Sequence, residues 1–112
     1  MGRITIAFIA LLTVANASAS GTVAGRVVNV RIDNTGKGIV YFDQNVAGSP
    51  SCVMPTYENA MAFDTSTAAG KAIMARALAA KATGDVLKAQ GTGTCTIYGN
   101  AWAEDVENFD YE

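Results

Sequence analysis

"FDTSTAAGKAIMARALAAKATGDV", residues 63–86, is the segment whose apolar residues recur at helical spacing, and the fold is read outward from it. At 100° per residue, Gly70, Ile73, Met74, Ala77 and Leu78 fall within one arc of about 140°. That arc is the expected face toward the rest of the chain. On the far side Ala68, Ala72, Ala75, Ala79 and Ala82 make an uncharged arc of about 80°. Between Thr67 and Ala82 the charges are Lys71, Arg76 and Lys81, with no acid. Lys71 and Arg76 stand on the flanks, while Lys81 lies on the apolar arc near its end and can snorkel outward. Asp64, Thr65 and Ser66 are three successive N-cap candidates, and Gly84 is placed as the glycine stop. A helix near residues 66–83 follows. Its alanine back reads in two ways: alanine is the best helix former, or small side chains allow close contact between subunits.

Upstream, "TVAGRVVNVRID" (residues 22–33) alternates in its second half, with Val28, Val30 and Ile32 on one face and Asn29, Arg31 and Asp33 on the other. Gly25 inside the run suggests a bulge or bend. "NTGKG" (residues 34–38) is turn chemistry, so "IVYFD" (residues 39–43) should return as the second arm of a hairpin. After the loop "QNVAGSPS", Cys52-Val53-Met54 begins a short third strand that Pro55 ends or interrupts. Met61-Ala62-Phe63 either resumes it or leads into the helix. Downstream, "DVLKAQG" (residues 85–91) and "GTCTIYG" (residues 93–99) read as two more strands joined by a tight Gly91-Thr92-Gly93 turn. "NAWAEDVENFDYE" is a last edge strand or a tail.

The order strand, strand, strand, helix, strand, strand predicts a mainly β domain: a five-stranded OB-like antiparallel barrel with the helix between strands 3 and 4. Residues 1–19 carry Arg3, an apolar run from Ile4 to Val14 and the small-x-small site Ala17-Ser18-Ala19, the layout of a secretory signal peptide. Residues 20–112 then form one domain with an acidic C-terminal segment, 103–112, secreted or periplasmic, with no membrane span in the mature chain. Without Arg3 the charges are seven Lys plus Arg against ten Asp plus Glu, a net of −3, which argues against nucleic acid. Cys52 and Cys95 both lie in the mature part, and an even pair in an exported domain reads as a disulfide. A metal site or a reactive thiol is the rival, but the chain has no histidine.

An exported OB barrel with one helix between strands three and four, and a disulfide from the third strand to the last, resembles the B subunits of A-B type bacterial toxins, the subtilase-cytotoxin and typhoid-toxin type in particular. The echoes are the helix running out through "KATGDVLKAQ" (residues 81–90) and the cysteine after "GTGT", across residues 23–98 in layout. The resemblance implies a homo-oligomer, a pentameric ring with the helices around a central pore, and binding of cell-surface glycans or another receptor. Ala68, Ala72, Ala75 and Ala79 would suit the contact between subunits. The chain is shorter than those subunits, with smaller loops, and their sugar-contacting residues do not align onto it.

Little in the sequence points to catalysis, and no cofactor is implied. Ser66 and Lys71 are five residues apart at a helix start, poor geometry for mutual contact. Glu104 and Asp105 point in different directions if the tail is a strand. Gly91-Thr92-Gly93 is too short to cradle phosphate. Asp105, Glu107 and Asp110 lack the spacing of a calcium loop, so a solvated acidic end is expected. The expectation is a binding protein rather than an enzyme. A carbohydrate site uses exposed aromatic rings, amides and hydroxyls, and Tyr98, Asn100 and Trp102 bring these together, with Tyr41 and Tyr57 as further candidates. A lone Trp102 also fits as a plug at one end of the barrel.

Overall fold

The computed structural model describes residues 20–111. The expected leader, residues 1–19, lies outside the described residues, as does Glu112. Five strands and one helix follow in the order β1 (Thr22–Ile32), β2 (Lys37–Phe42), β3 (Ala60–Asp64), α1 (Ala68–Thr83), β4 (Val86–Gly91) and β5 (Glu104–Tyr111). A single 3-10 turn, Pro55–Tyr57, precedes β3. The sheet closes into a ring in the order β1-β2-β3-β5-β4, because β1 pairs with β4 through residues 22–26 and with β2 through residues 27–32.

One strand can serve both neighbours because it is bulged. The β1–β2 register slips between Val27 and Asn29, and a bulge bends a strand and increases its twist. Before the slip Val23, Gly25 and Val27 are buried; after it the inward phase passes to Val30. This corrects the expected buried face of Val28, Val30 and Ile32, since Val28 is 53% and Ile32 48% exposed. The bulge comes after Gly25, whose own role is space: a Cβ there would lie 2.7 Å from Asp43 Oδ1. That carboxylate accepts the Arg26 N–H at 2.9 Å.

Three further expectations are corrected. Residues 52–54 are loop, and the third strand is Ala60–Asp64. "GTCTIYG" is a string of turns, and the fifth strand is the acidic segment Glu104–Tyr111. Gly91-Thr92-Gly93 therefore opens a connection across residues 92–103 rather than making a hairpin turn. The sheet is not wholly antiparallel either, since β3 and β5 run parallel where Met61 meets Glu104 and Ala62 meets Asp105.

The helix is where the sequence places it. Thr67 is its N-cap, its hydroxyl accepting the Gly70 N–H at 2.9 Å, one residue past the three candidates. Gly84 takes the left-handed φ of 76° and donates to the Ala80 carbonyl. Gly70 is required, because a Cβ there would sit 1.6 Å from the Asp64 carbonyl oxygen. The packed face turns on Ala77 and Ala80, both fully buried, with Ile73 and Met74 half-buried beside them. Leu78, expected inward, is 47% exposed. The arc of Ala68, Ala72, Ala75, Ala79 and Ala82 is exposed in the single chain.

Two apolar clusters share the same strands. Val23, Val27, Val40, Phe42, Met61, Phe63, Leu87, Ala89 and Phe109 fill the ring with Ala77 and Ala80 of α1, and Phe42 meets Phe109 edge to face at 6.3 Å. The alternate residues Ile39, Tyr41, Ala60 and Ala62 point the other way, where Tyr57, Ile97, Tyr98, Trp102 and Ala103 cover them. Because β2 and β3 are covered on both faces, "IVYF" and "AMAF" read as unbroken apolar runs rather than alternating ones. No helix among the described residues is long and apolar enough to cross a membrane.

Candidate functional site

Residues 92–103 carry Tyr98 and Trp102, and two buried acids at the start of β5 hold that segment in shape. Asp105, 5% exposed, accepts the Ile97 N–H at 3.0 Å through Oδ1. Its Oδ2 accepts the Thr96 N–H at 2.9 Å, the Thr96 hydroxyl at 2.5 Å and the Thr94 hydroxyl at 3.1 Å. Glu104, fully buried, accepts the Gly93 N–H at 2.8 Å and the Gly21 N–H at 2.9 Å through Oε2. The two carboxylates face different partners, as their adjacency in a strand requires. Both are buried hydrogen-bond acceptors, which corrects the expected solvated acidic end at its first two acids, whereas Glu107 and Asp110 further along are exposed as expected.

The disulfide between Cys52 and Cys95 is formed and ties the segment to the loop before β3, so it joins two loops rather than the third and fifth strands. Two further backbone bonds complete the clamp: Met54 N–H to the Trp102 carbonyl at 2.9 Å, and Asn100 N–H to the Cys95 carbonyl at 2.8 Å. Asn100 and Trp102 have φ of 67° and 71°. A left-handed backbone is ordinary for asparagine but costs a bulky residue about 1–2 kcal/mol. The ring contacts of Trp102 hold it there.

Those contacts form a continuous aromatic series. Trp102 stacks on Tyr57 with centroids 5.5 Å apart and planes at 7°, and on Tyr98 at 5.0 Å and 22°. Tyr57 in turn meets Tyr41 at 6.4 Å. The Arg31 guanidinium lies 5.2 Å from the Trp102 ring centroid, a cation–π distance. Arg31 Nε also donates to Asp33 Oδ1 at 2.9 Å, and the Tyr98 hydroxyl donates to Asp33 Oδ2 at 2.6 Å.

The electrostatics follow from these bonds. The Tyr98 hydroxyl, and then Arg31, hold the Asp33 carboxyl below its ordinary range. Burial, and then the bond to Asp33, push the Tyr98 phenol well above its ordinary value. Asp33, with Tyr41 and Tyr57 adding, raises Arg31 further, so the guanidinium stays charged throughout.

Beside this cluster lies an open groove of ≈ 720 Å³, lined by Asp33, Asn34, Thr35, Lys37, Tyr98 and Trp102 together with Ile32 and Gly99. It offers ring edges, an amide, a hydroxyl, a carboxylate and an ammonium. Of the three residues expected to bind, Tyr98 and Trp102 line it, whereas Asn100 does not. Tyr57 stacks on Trp102, and Tyr41 meets Tyr57 in turn. Arg31 and Asp33 escaped the reading because they look like the solvent face of an ordinary strand. Their alternation with Val30 and Ile32 was visible, but nothing local shows that Tyr98, 65 residues later, lands on them.

Among the described residues no group of three His, Cys, Asp or Glu side chains could hold a metal ion. No family model, no curated protein and no solved structure matches this chain.

Proposed function

We propose that the protein is an exported, non-enzymatic binding subunit that recognises glycans through the Tyr98–Trp102 groove and assembles as a B-like ring. The observation that carries this reading is the aromatic series bordering an open groove of mixed polar chemistry, on a segment fixed by a disulfide and two buried acids. A sugar presents apolar C–H faces ringed by hydroxyls, and rigid aromatic edges with amide, hydroxyl and charged groups are the matching surface. Rigidity matters because a preformed site loses little entropy when it is occupied.

Three features support the OB-like, toxin-B-like part. The strand order β1-β2-β3-β5-β4 closes through a bent β1, β3 and β5 run parallel, and α1 sits between β3 and β4. Exposed Ala68, Ala72, Ala75 and Ala79 leave a flat helix back for a second subunit. Removal of residues 1–19 and oxidation of Cys52 with Cys95 belong to the same export reading.

Glycan-array binding of the mature protein tests recognition. Signal on one structural class of saccharide is expected, and Asn34→Ala with Lys37→Ala should weaken it at least about tenfold, the scale of one or two lost polar contacts. A flat array would overturn the glycan assignment. Light scattering tests assembly: Ala75→Glu buries an unpaired charge in any alanine-lined contact and should break the ring into smaller species. A wild-type monomer at high micromolar concentration would remove the ring.

A further inference from the structure

Glu104 is an acidic side chain with no charged partner among the described residues. Its side chain is fully buried, and both carboxylate oxygens accept N–H bonds, Oε1 from Gly21 at 3.1 Å and Oε2 from Gly21 and Gly93. Among the described residues it meets no lysine or arginine. Buried carboxylates are normally paired, because desolvation of an isolated charge costs more than backbone N–H groups return.

The site is also built closely around the chain's entry point. A Cβ on Gly21 would lie 2.5 Å from Glu104 Oε1 and 2.4 Å from Val46 Cγ1, and a Cβ on Gly91 would lie 2.1 Å from Oε2. Gly91 N–H donates to the Gly21 carbonyl at 2.8 Å. Only glycines fit on either side of the carboxylate.

We infer that Glu104 is the binding site for the mature chain's own α-ammonium group, that of Ser20. This rests on the export reading, in which cleavage after Ala19 makes Ser20 the first residue. The geometry is confined by covalent bonds: successive backbone nitrogens are at most about 3.7 Å apart. The Gly21 nitrogen is 2.9 Å from Oε2, so the Ser20 nitrogen lies within about 6.6 Å of the carboxylate. Ser20 itself is half-buried. Before cleavage that nitrogen is a neutral amide. Cleavage converts it to a cation within reach of a carboxyl group that meets no other cation among the described residues, so processing completes the electrostatics of the fold. The groups packed around Gly21 are Val46, Ala47, Gly91 and Glu104, and Glu104 is the one acidic or basic residue among them.

Periodate provides the test, because an N-terminal serine is a vicinal amino alcohol. Oxidation cleaves its Cα–Cβ bond, leaves a terminal aldehyde, releases ammonia and formaldehyde, and reduces periodate to iodate, so the cation is removed and the chain is otherwise kept. On mature protein beginning at Ser20, the treatment should lower Tm by about 5 °C or more, and it should leave the Glu104→Gln variant unchanged. An unchanged wild type, or an equal fall in both proteins, would overturn the inference. A second measurement needs no variant: the α-amine pKa, from acylation rate against pH, should stand above the ordinary value of about 8, and an ordinary value would overturn it. Intact mass of the exported protein tests the export reading separately, while a chain cut in vitro to begin at Ser20 still tests the ammonium site.

Discussion

Replacing Gly91 by alanine should damage the fold far more than its one methyl group suggests. The added Cβ would lie 2.1 Å from Glu104 Cδ and from Oε2, and 2.6 Å from Oε1. The carboxylate is the far end of a flexible side chain, but it cannot yield cheaply because it is fully buried and holds the N–H groups of Gly21 and Gly93. To make room it must abandon both donors. Hydrogen bonds to a charged group contribute about 1.5–3 kcal/mol each, so the loss should be about 3–6 kcal/mol. For a domain of this size that is a fall in Tm of at least about 12 °C. Gly99→Ala is the control: φ is 72° and nothing lies within 4 Å of its Cβ, so only the left-handed strain of about 1–2 kcal/mol applies. Urea unfolding of the two variants gives the comparison. In a Glu104→Ala background the Gly91→Ala penalty should largely vanish, because neighbours that act through one contact are not additive. If Gly91→Ala is no worse than Gly99→Ala, the carboxylate is not held as described.

The disulfide closes 43 residues, so Cys52→Ser with Cys95→Ser should cost about 4 kcal/mol in denaturant unfolding on the chain-entropy account. Asp33 titrates below its ordinary value of 3.8 when folded, so its contribution is present above about pH 4 and is lost as pH falls through the depressed value. Tyr98→Phe removes the first cause of that depression, and the acid limb of a Tm-against-pH curve should become shallower. At high pH the sign reverses. The Tyr98 phenol is raised above 10, so its neutral form stabilises the fold below pH 10 and that contribution disappears as pH rises further. Absorbance titration of tyrosinate should leave one tyrosine un-ionised until unfolding, and Tyr98→Phe should abolish that late step.

The helix was legible because its signals are local: Gly84 is adjacent to the turn it stops, and Gly70, Ile73, Met74 and Ala77 repeat at helical spacing, while the N-cap Thr67 lies one residue past the three candidates. The hairpin β1–β2 was legible for the same reason, with "NTGKG" between two apolar runs. The fifth strand was legible only in part. "TCTIY" has the alternation of a strand, but Thr94, Thr96 and Ile97 donate to Asp105 instead of to a neighbouring strand. The true strand reads only as one of two alternatives, an edge strand or a tail, because its first two residues are acids, and nothing local distinguishes a buried acceptor from a solvated charge. In the same way Tyr98 and Trp102 announced themselves as aromatics, while Arg31 and Asp33 became partners only through the closed fold.

The divided allegiance of β1 sets the order of assembly. Its second half meets β2 across a four-residue turn, but its first half must find β4, with Arg26 opposite Val86. Local hairpins form in microseconds, whereas closing so long a loop before any contact rewards it is the slow part of folding. The Cys52–Cys95 bond shortens that search, since it joins the loop that follows β2 to the loop that follows β4. An oxidised chain thus begins with the β1–β2 hairpin already tethered near β4, and it should refold faster than the reduced chain because less loop entropy remains to be lost.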